Sequence, residues 1–176
     1  MKKSDNIILI GYRGTGKSIV AHELSKLTGR KSISLDTEIE KKYKPINEIV
    51  KYSGWQKFRD IESKMIQSLE LENGIIDCGG GVVEREDNIR NLKLLGHIFW
   101  LKATRETIKN RLADKTNRPS LTGDKDFLQE IEEVLKSRTP LYRRAADFEI
   151  ETDYKSPDEI VDEVLDIFNS RDRRIR

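Results

Sequence analysis

Ile7-Ile8-Leu9-Ile10, followed at once by Gly11-Tyr12-Arg13-Gly14-Thr15-Gly16-Lys17-Ser18, decides the fold. Four apolar residues without polar alternation suit a strand covered on both faces. The residues after them match G-x-x-x-x-G-K-[ST], placed directly after a strand and at the opening of a helix. Glycines there let the backbone wrap closely around phosphate oxygens. Successive N–H groups then point inward, and the helix N-terminus adds a favourable dipole. Lys17 is expected to reach the β- and γ-phosphates of a nucleotide, and Ser18 to offer its hydroxyl to Mg²⁺. Gly14, Thr15, Gly16, Lys17 and Ser18, with Ile19 after them, are the nucleotide-binding candidates. The bland alternative is a turn that merely joins strand to helix, and the complete motif in its proper place argues against it. The motif speaks for nucleotide binding and says little about where a phosphate is sent.

Outward from this loop, short apolar runs alternate with amphipathic stretches. A helix is expected from about Gly16 to Leu27, closed by Gly29. Strands are expected at Ser32–Leu35, Ile75–Cys78, Ile98–Leu101 and Phe148–Ile150. Helices are expected at Pro45–Ser53 and Trp55–Leu71 with Gly54 between them, at Thr104–Leu112 with Thr104 as N-cap, at Phe127–Arg138, and at Pro157–Phe168 with Ser156 as N-cap. This alternation predicts a three-layer α/β/α fold around a parallel sheet. Residues Asp114 to Asp126 break the pattern. They are polar, carry Pro119 and Gly123, and read as a functional lid or an insertion.

The chain has 176 residues, enough for one domain with its own core. Charged residues make up 36% but the net charge is only +2, which argues against a nucleic-acid binder. Arg171 to Arg176 is a late basic cluster that reads as a solvated tail. Cys78 is the one cysteine, so no intramolecular disulfide can form; this suits a cytoplasmic protein. The apolar run after Lys2 and Lys3 is too short to span a membrane. No membrane partner is expected, and the chain is expected to work as a monomer on a small molecule.

Two carboxylates stand at predicted strand ends. Asp36, in Leu35-Asp36-Thr37-Glu38, is placed to support Mg²⁺ or to accept a proton from a substrate hydroxyl. A helix N-cap is the alternative, and the two roles are compatible. Asp77, after Gly74-Ile75-Ile76, has the form of the second metal-supporting acid of nucleotide-binding folds. Cys78 reads as a packed side chain, and His22 and His97 as structural. The triplet Gly79-Gly80-Gly81 reads as a place where a ligand approaches the backbone, with a tight turn as the alternative. Trp55 and Phe58 could wall a pocket or belong to the core.

Taken together, the chain resembles the shikimate kinase family over nearly its whole length. The residues that carry the resemblance are the phosphate loop, Leu35-Asp36-Thr37, Phe58-Arg59 with Glu62, Gly79-Gly80-Gly81, Arg118-Pro119, and Pro140-Leu141-Tyr142-Arg143-Arg144. The resemblance implies a five-stranded parallel sheet in the order 2-3-1-4-5 with a lid, and transfer of a phosphoryl group from ATP, with Mg²⁺, to shikimate. It implies that Arg59 and Arg143 grip the substrate carboxylate and that Glu62 orients Arg59. The glycine triplet would let the backbone meet substrate hydroxyls. Asp36 would lie by the reacting hydroxyl and the metal, Arg118 would reach the transferring phosphate from the lid, and Arg111 would lie against the adenine. Catalysis would rest on Lys17, Asp36 and Arg118; the metal candidates are Ser18, Asp36 and Asp77. Planar guanidiniums suit a carboxylate acceptor, because each offers parallel donors.

Two positions depart from the family pattern. Glu38 stands where a second Asp would bind a ring hydroxyl, and adds one methylene. Asp77 stands where small hydroxyl residues are common. Other acceptors remain open on these residues: a sugar acid or a nucleoside monophosphate, or a nucleotide-binding regulator without turnover.

Overall fold

The central strand β1 (Asn6–Ile10) is buried along its whole length. Its side chains alternate between two cores, as a strand's period of two requires. Ile7 and Leu9 pack with α1 (Lys17–Thr28) and α7 (Pro157–Ser170). Ile8 and Ile10 pack on the opposite face, with Leu35, Ile66, Leu92 and Tyr142. The computed structural model describes residues 5–112 and 127–170. The expected lid, with Arg118, lies outside the described residues.

Five parallel strands form one sheet in the order β2-β3-β1-β4-β5, as the resemblance implied. The remaining strands are β2 (Ser32–Ser34), β3 (Ile75–Asp77), β4 (Gly96–Lys102) and β5 (Phe148–Glu151). Asn6 ties loop ends to the sheet from a buried position. Its amide donates to Leu71 O at 2.6 Å and Leu95 O at 2.8 Å and accepts from Gly74 N at 2.6 Å. Among the described residues, no helix is long and apolar enough to cross a membrane.

Three features differ from the expectation. Leu35 does not continue β2 but begins α2 (Leu35–Lys42), and the cap is Ser34, whose hydroxyl accepts from Thr37 N at 3.4 Å. Asp36 is therefore in the first helical turn, where a carboxylate also complements the helix dipole. A further helix, α4 (Glu86–Leu95), stands between the glycine triplet and β4. The helix that starts at Phe127 does not stop at Arg138: α6 runs Phe127–Ala145 with Pro140 inside it. Pro140 has no N–H to donate to the preceding turn, yet burial of Tyr142 and Ala145 holds the last turns on the sheet. The two helices expected on either side of Gly54 are present: they follow one another along α3 (Ile46–Gln67), broken at Gly54, which adopts φ 76° and ψ 167°, outside the helical region.

The predicted caps at the other end of the fold are present. Thr104 accepts from Thr107 N at 3.3 Å ahead of α5 (Arg105–Leu112). Ser156 and Glu159 form a reciprocal capping box on α7.

Candidate active site

The phosphate loop is shaped by its glycines. Gly11, Gly14 and Gly16 all have positive φ, at 144°, 83° and 95°. A Cβ on Gly11 would fall 2.4 Å from Leu101 O, so the turn also requires a missing side chain. Lys17 is buried and curls back over the loop, donating to Gly11 O at 2.9 Å and Tyr12 O at 3.0 Å. Ile19, one turn into α1, is 55% exposed and is not among the residues lining the cavity beside the loop.

That cavity, about 760 Å³, runs from the loop to the kink of α3. It is within the usual range for small-molecule sites. Ser18 donates to Asp77 Oδ2 at 2.6 Å, and Asp36 lines the same cavity. These are all hard oxygen donors. Mg²⁺ is typically held by one or two carboxylates together with substrate phosphates and water, so this set fits the ion. Cys78, next to Asp77, is buried; that burial pushes its thiol well above the ordinary range, with Asp77 and Glu62 adding to the effect. It is a packed side chain, as expected.

At the other end, Arg59 is buried on α3. It donates from Nη1 to Glu62 Oε2 at 2.9 Å and from Nε to Glu84 Oε2 at 3.0 Å. Its guanidinium lies over Trp55 and Phe58, 5.5 and 5.1 Å from their ring centroids. Both rings also line the cavity, so the two readings of these aromatics hold together. Burial works against the Arg59 charge, but Glu62 and Glu84 more than offset it, and its pKa is raised. Glu62 itself is pushed up to about 7 by burial against the pull of Arg59, with Asp36 and Glu84 adding to the rise. Glu62 thus holds Arg59 in the way the resemblance implied, and among the described residues its Oε1 is buried without a hydrogen-bond partner.

The structure corrects the second arginine. Arg143 is 64% exposed, faces Glu149 at 3.5 Å and lies 6.0 Å from the Trp100 ring centroid, away from the cavity. Arg138 takes its place: it is buried, lines the cavity and donates from Nε to Glu84 Oε1 at 2.7 Å. The reason is helical phase. Arg138 and Tyr142 are four residues apart on α6 and share its inner face, whereas Arg143 is a further 100° or so round the helix. Tyr142 is fully buried and donates to Gly80 O. Burial pushes its phenol up, so it remains a donor.

The glycine triplet lines the cavity between the two ends. A Cβ on Gly81 would fall 1.8 Å from Arg59 Nη2, and one on Gly79 would fall 2.9 Å from Asp36 Oδ1. The triplet therefore leaves the space that the side chains of Arg59 and Asp36 occupy. Glu38 does not join the site: it pairs with Lys41 at 2.8 Å on the outer side of α2. Thr37 and Glu40 line the cavity instead. His22 reaches the cavity margin, 75% exposed, and takes no part in the cluster. Arg111, on α5, donates to Thr152 O at 2.7 Å and to Gly14 O at 3.4 Å, which sets it beside the phosphate loop. Sequence reasoning missed Arg138, Glu84 and Glu40. Arg138 was findable from its spacing to Tyr142; Glu84 and Glu40 carry no local signal.

A family model described as shikimate kinase matches residues 13–169. The shikimate kinase of Dehalococcoides mccartyi is 38% identical over 168 residues, covering 94% of this chain and 94% of that one. That of Thermodesulfovibrio yellowstonii is 40% identical over 162 residues, covering 91% and 92%. A solved shikimate kinase from Acinetobacter baumannii in complex with shikimate matches with a TM-score of 0.89 at 30% identity, covering 96% of this chain and 94% of that one. With the loop, the glycine triplet and the paired arginines in one cavity, the chain belongs to the shikimate kinase family.

Proposed function

We propose that this protein transfers the γ-phosphoryl group of ATP to the 3-hydroxyl of shikimate, giving ADP and shikimate 3-phosphate. The observation that carries the reading is one cavity with a phosphate loop at one end and two buried arginines, Arg59 and Arg138, at the other. A carboxylate held by both guanidiniums would point the ring of the acceptor back toward Asp36 and Lys17.

Lys17 leaves the carbonyls of Gly11 and Tyr12 when phosphate oxygens replace them, and spreads the charge that develops on the transferring group. Asp36 holds the acceptor hydroxyl in line and takes up its proton as the new P–O bond forms. Ser18, Asp77 and Asp36 are the residues that would hold Mg²⁺, which screens the phosphate charge when bound with ATP. Arg118, outside the described residues, is proposed to reach the transferring phosphate from the lid. Arg111 is proposed to cover the adenine.

Coupled ADP release with ATP, Mg²⁺ and a panel of shikimate, quinate, gluconate and nucleoside monophosphates tests this. Turnover is expected with shikimate. Turnover with gluconate or a monophosphate but not shikimate would overturn the acceptor, and silence across the panel with retained ATP binding would overturn catalysis.

A further inference from the structure

Two arginines from distant parts of the chain converge on one carboxylate. Glu84 Oε2 accepts from Arg59 Nε at 3.0 Å; Glu84 Oε1 accepts from Arg138 Nε at 2.7 Å and lies 2.5 Å from Arg138 Nη2. Arg59 belongs to α3 and Arg138 to α6, while Glu84 is on the short 3-10 turn Val82–Glu84 that follows the glycine triplet. Both arginines line the cavity and Glu84 does not. The carboxylate thus meets them from outside the cavity, at Nε of both and also at Nη2 of Arg138. Arg59 has a second anchor in Glu62. Among the described residues, Glu84 is the carboxylate that holds Arg138.

Resting on the reading of the site above, we propose that Glu84 is a positioning residue: it fixes Arg138 against Arg59 so that both guanidiniums meet a single acceptor carboxylate. Bidentate recognition depends on the angle between planar groups, and a long side chain without its anchor spreads over several rotamers. A negative charge beside the arginines also opposes an incoming anion. Glu84 is 37% exposed, so water screens that opposition, while the loss of geometry is not screened.

The two effects have opposite signs and can be separated by variants. Glu84→Gln removes the charge and one acceptor; Glu84→Asp keeps the charge but is too short to span both arginines. Steady-state kinetics with shikimate and with shikimate methyl ester, whose carboxylate charge is gone, give the readout. The expected result is a KM for shikimate raised about tenfold in both variants, with kcat and the KM for ATP near wild type. The KM for the ester should not move. A lowered shikimate KM in Glu84→Gln would mean that Glu84 competes with the acceptor, and would overturn the proposal. An equal loss on the ester or on ATP would mean a general structural role, and would overturn it too. If the wild-type protein turned over neither form of shikimate, the reading of the site itself would fail, which is a distinct outcome. The ATP KM also shows whether each variant is folded.

Discussion

Ser18 Oγ donates to Asp77 Oδ2 at 2.6 Å, although 59 residues separate the two in the chain. The pairing brings the end of the phosphate loop to the end of β3, next-door strands in the sheet. Asp77→Asn is expected to raise the Mg²⁺ concentration for half-maximal turnover by about tenfold, the lower end of the range for a residue that orients a metal ligand. The KM for shikimate should stay near wild type. A titration of activity against Mg²⁺ decides it, and an unchanged midpoint would remove Asp77 from the metal site. Chelation by EDTA should stop turnover in both proteins.

Arg138 and Arg143 separate by exposure, and a matched pair of variants reads out the difference. Arg138→Ala should lower kcat/KM for shikimate about a hundredfold, as the loss of hydrogen bonds to a charged group at roughly 2–3 kcal/mol implies. Arg143→Ala should stay within about threefold of wild type, since exposed pairs contribute little. Equal losses would show that both arginines reach the acceptor.

Gly81 is restricted by packing, not by backbone angle. A Cβ there would fall 1.8 Å from Arg59 Nη2, so Gly81→Ala must push the guanidinium off Glu62 and Glu84. The variant should lose at least about tenfold in kcat/KM for shikimate, while ATP binding by fluorescence titration is retained.

Gly54 makes the opposite case. Nothing lies within 4 Å of the Cβ that would be added, but φ is 76°. Gly54→Ala should therefore destabilise by about 1 kcal/mol or somewhat more, through backbone strain alone. Urea unfolding measures it. Because the kink precedes Arg59, a rise in shikimate KM should accompany the loss.

Glu62 makes stability depend on pH with a defined sign. Burial raises its pKa from 4.5 unfolded to about 7 folded. Between those values the folded state holds more protons than the unfolded one, so stability falls as pH rises through this window. The contribution is complete below about 4.5 and gone above about 7. Thermal unfolding at a series of pH values from 5 to 8 should show this slope in the wild type, and a flatter one in Glu62→Gln. Parallel slopes would show that Glu62 titrates as an ordinary surface acid.

Strand order came from the family resemblance, whereas the phosphate loop and the caps at Thr104 and Ser156 were legible because each depends on neighbours within a few residues. Glu38 shows where such reading fails. Its position in Asp36-Thr37-Glu38 assigned it to the acceptor, but α2 begins at Leu35 and its phase turns Glu38 outward to Lys41 while Asp36, Thr37 and Glu40 face the cavity. Arg143 failed for the same reason on α6, where a helix expected to end at Arg138 continues through Pro140.

The sequence by itself determined the nucleotide end of this protein, because a phosphate loop is a local object: consecutive N–H groups, glycines that permit positive φ, and the first turn of a helix. The acceptor end was decided by tertiary structure. Arg59, Glu84 and Arg138 come from three elements and meet through helix phase, the Gly54 kink and the space left by Gly81. None of these is a property of one segment, so which arginine lines the cavity is decided only when the helices pack on the sheet.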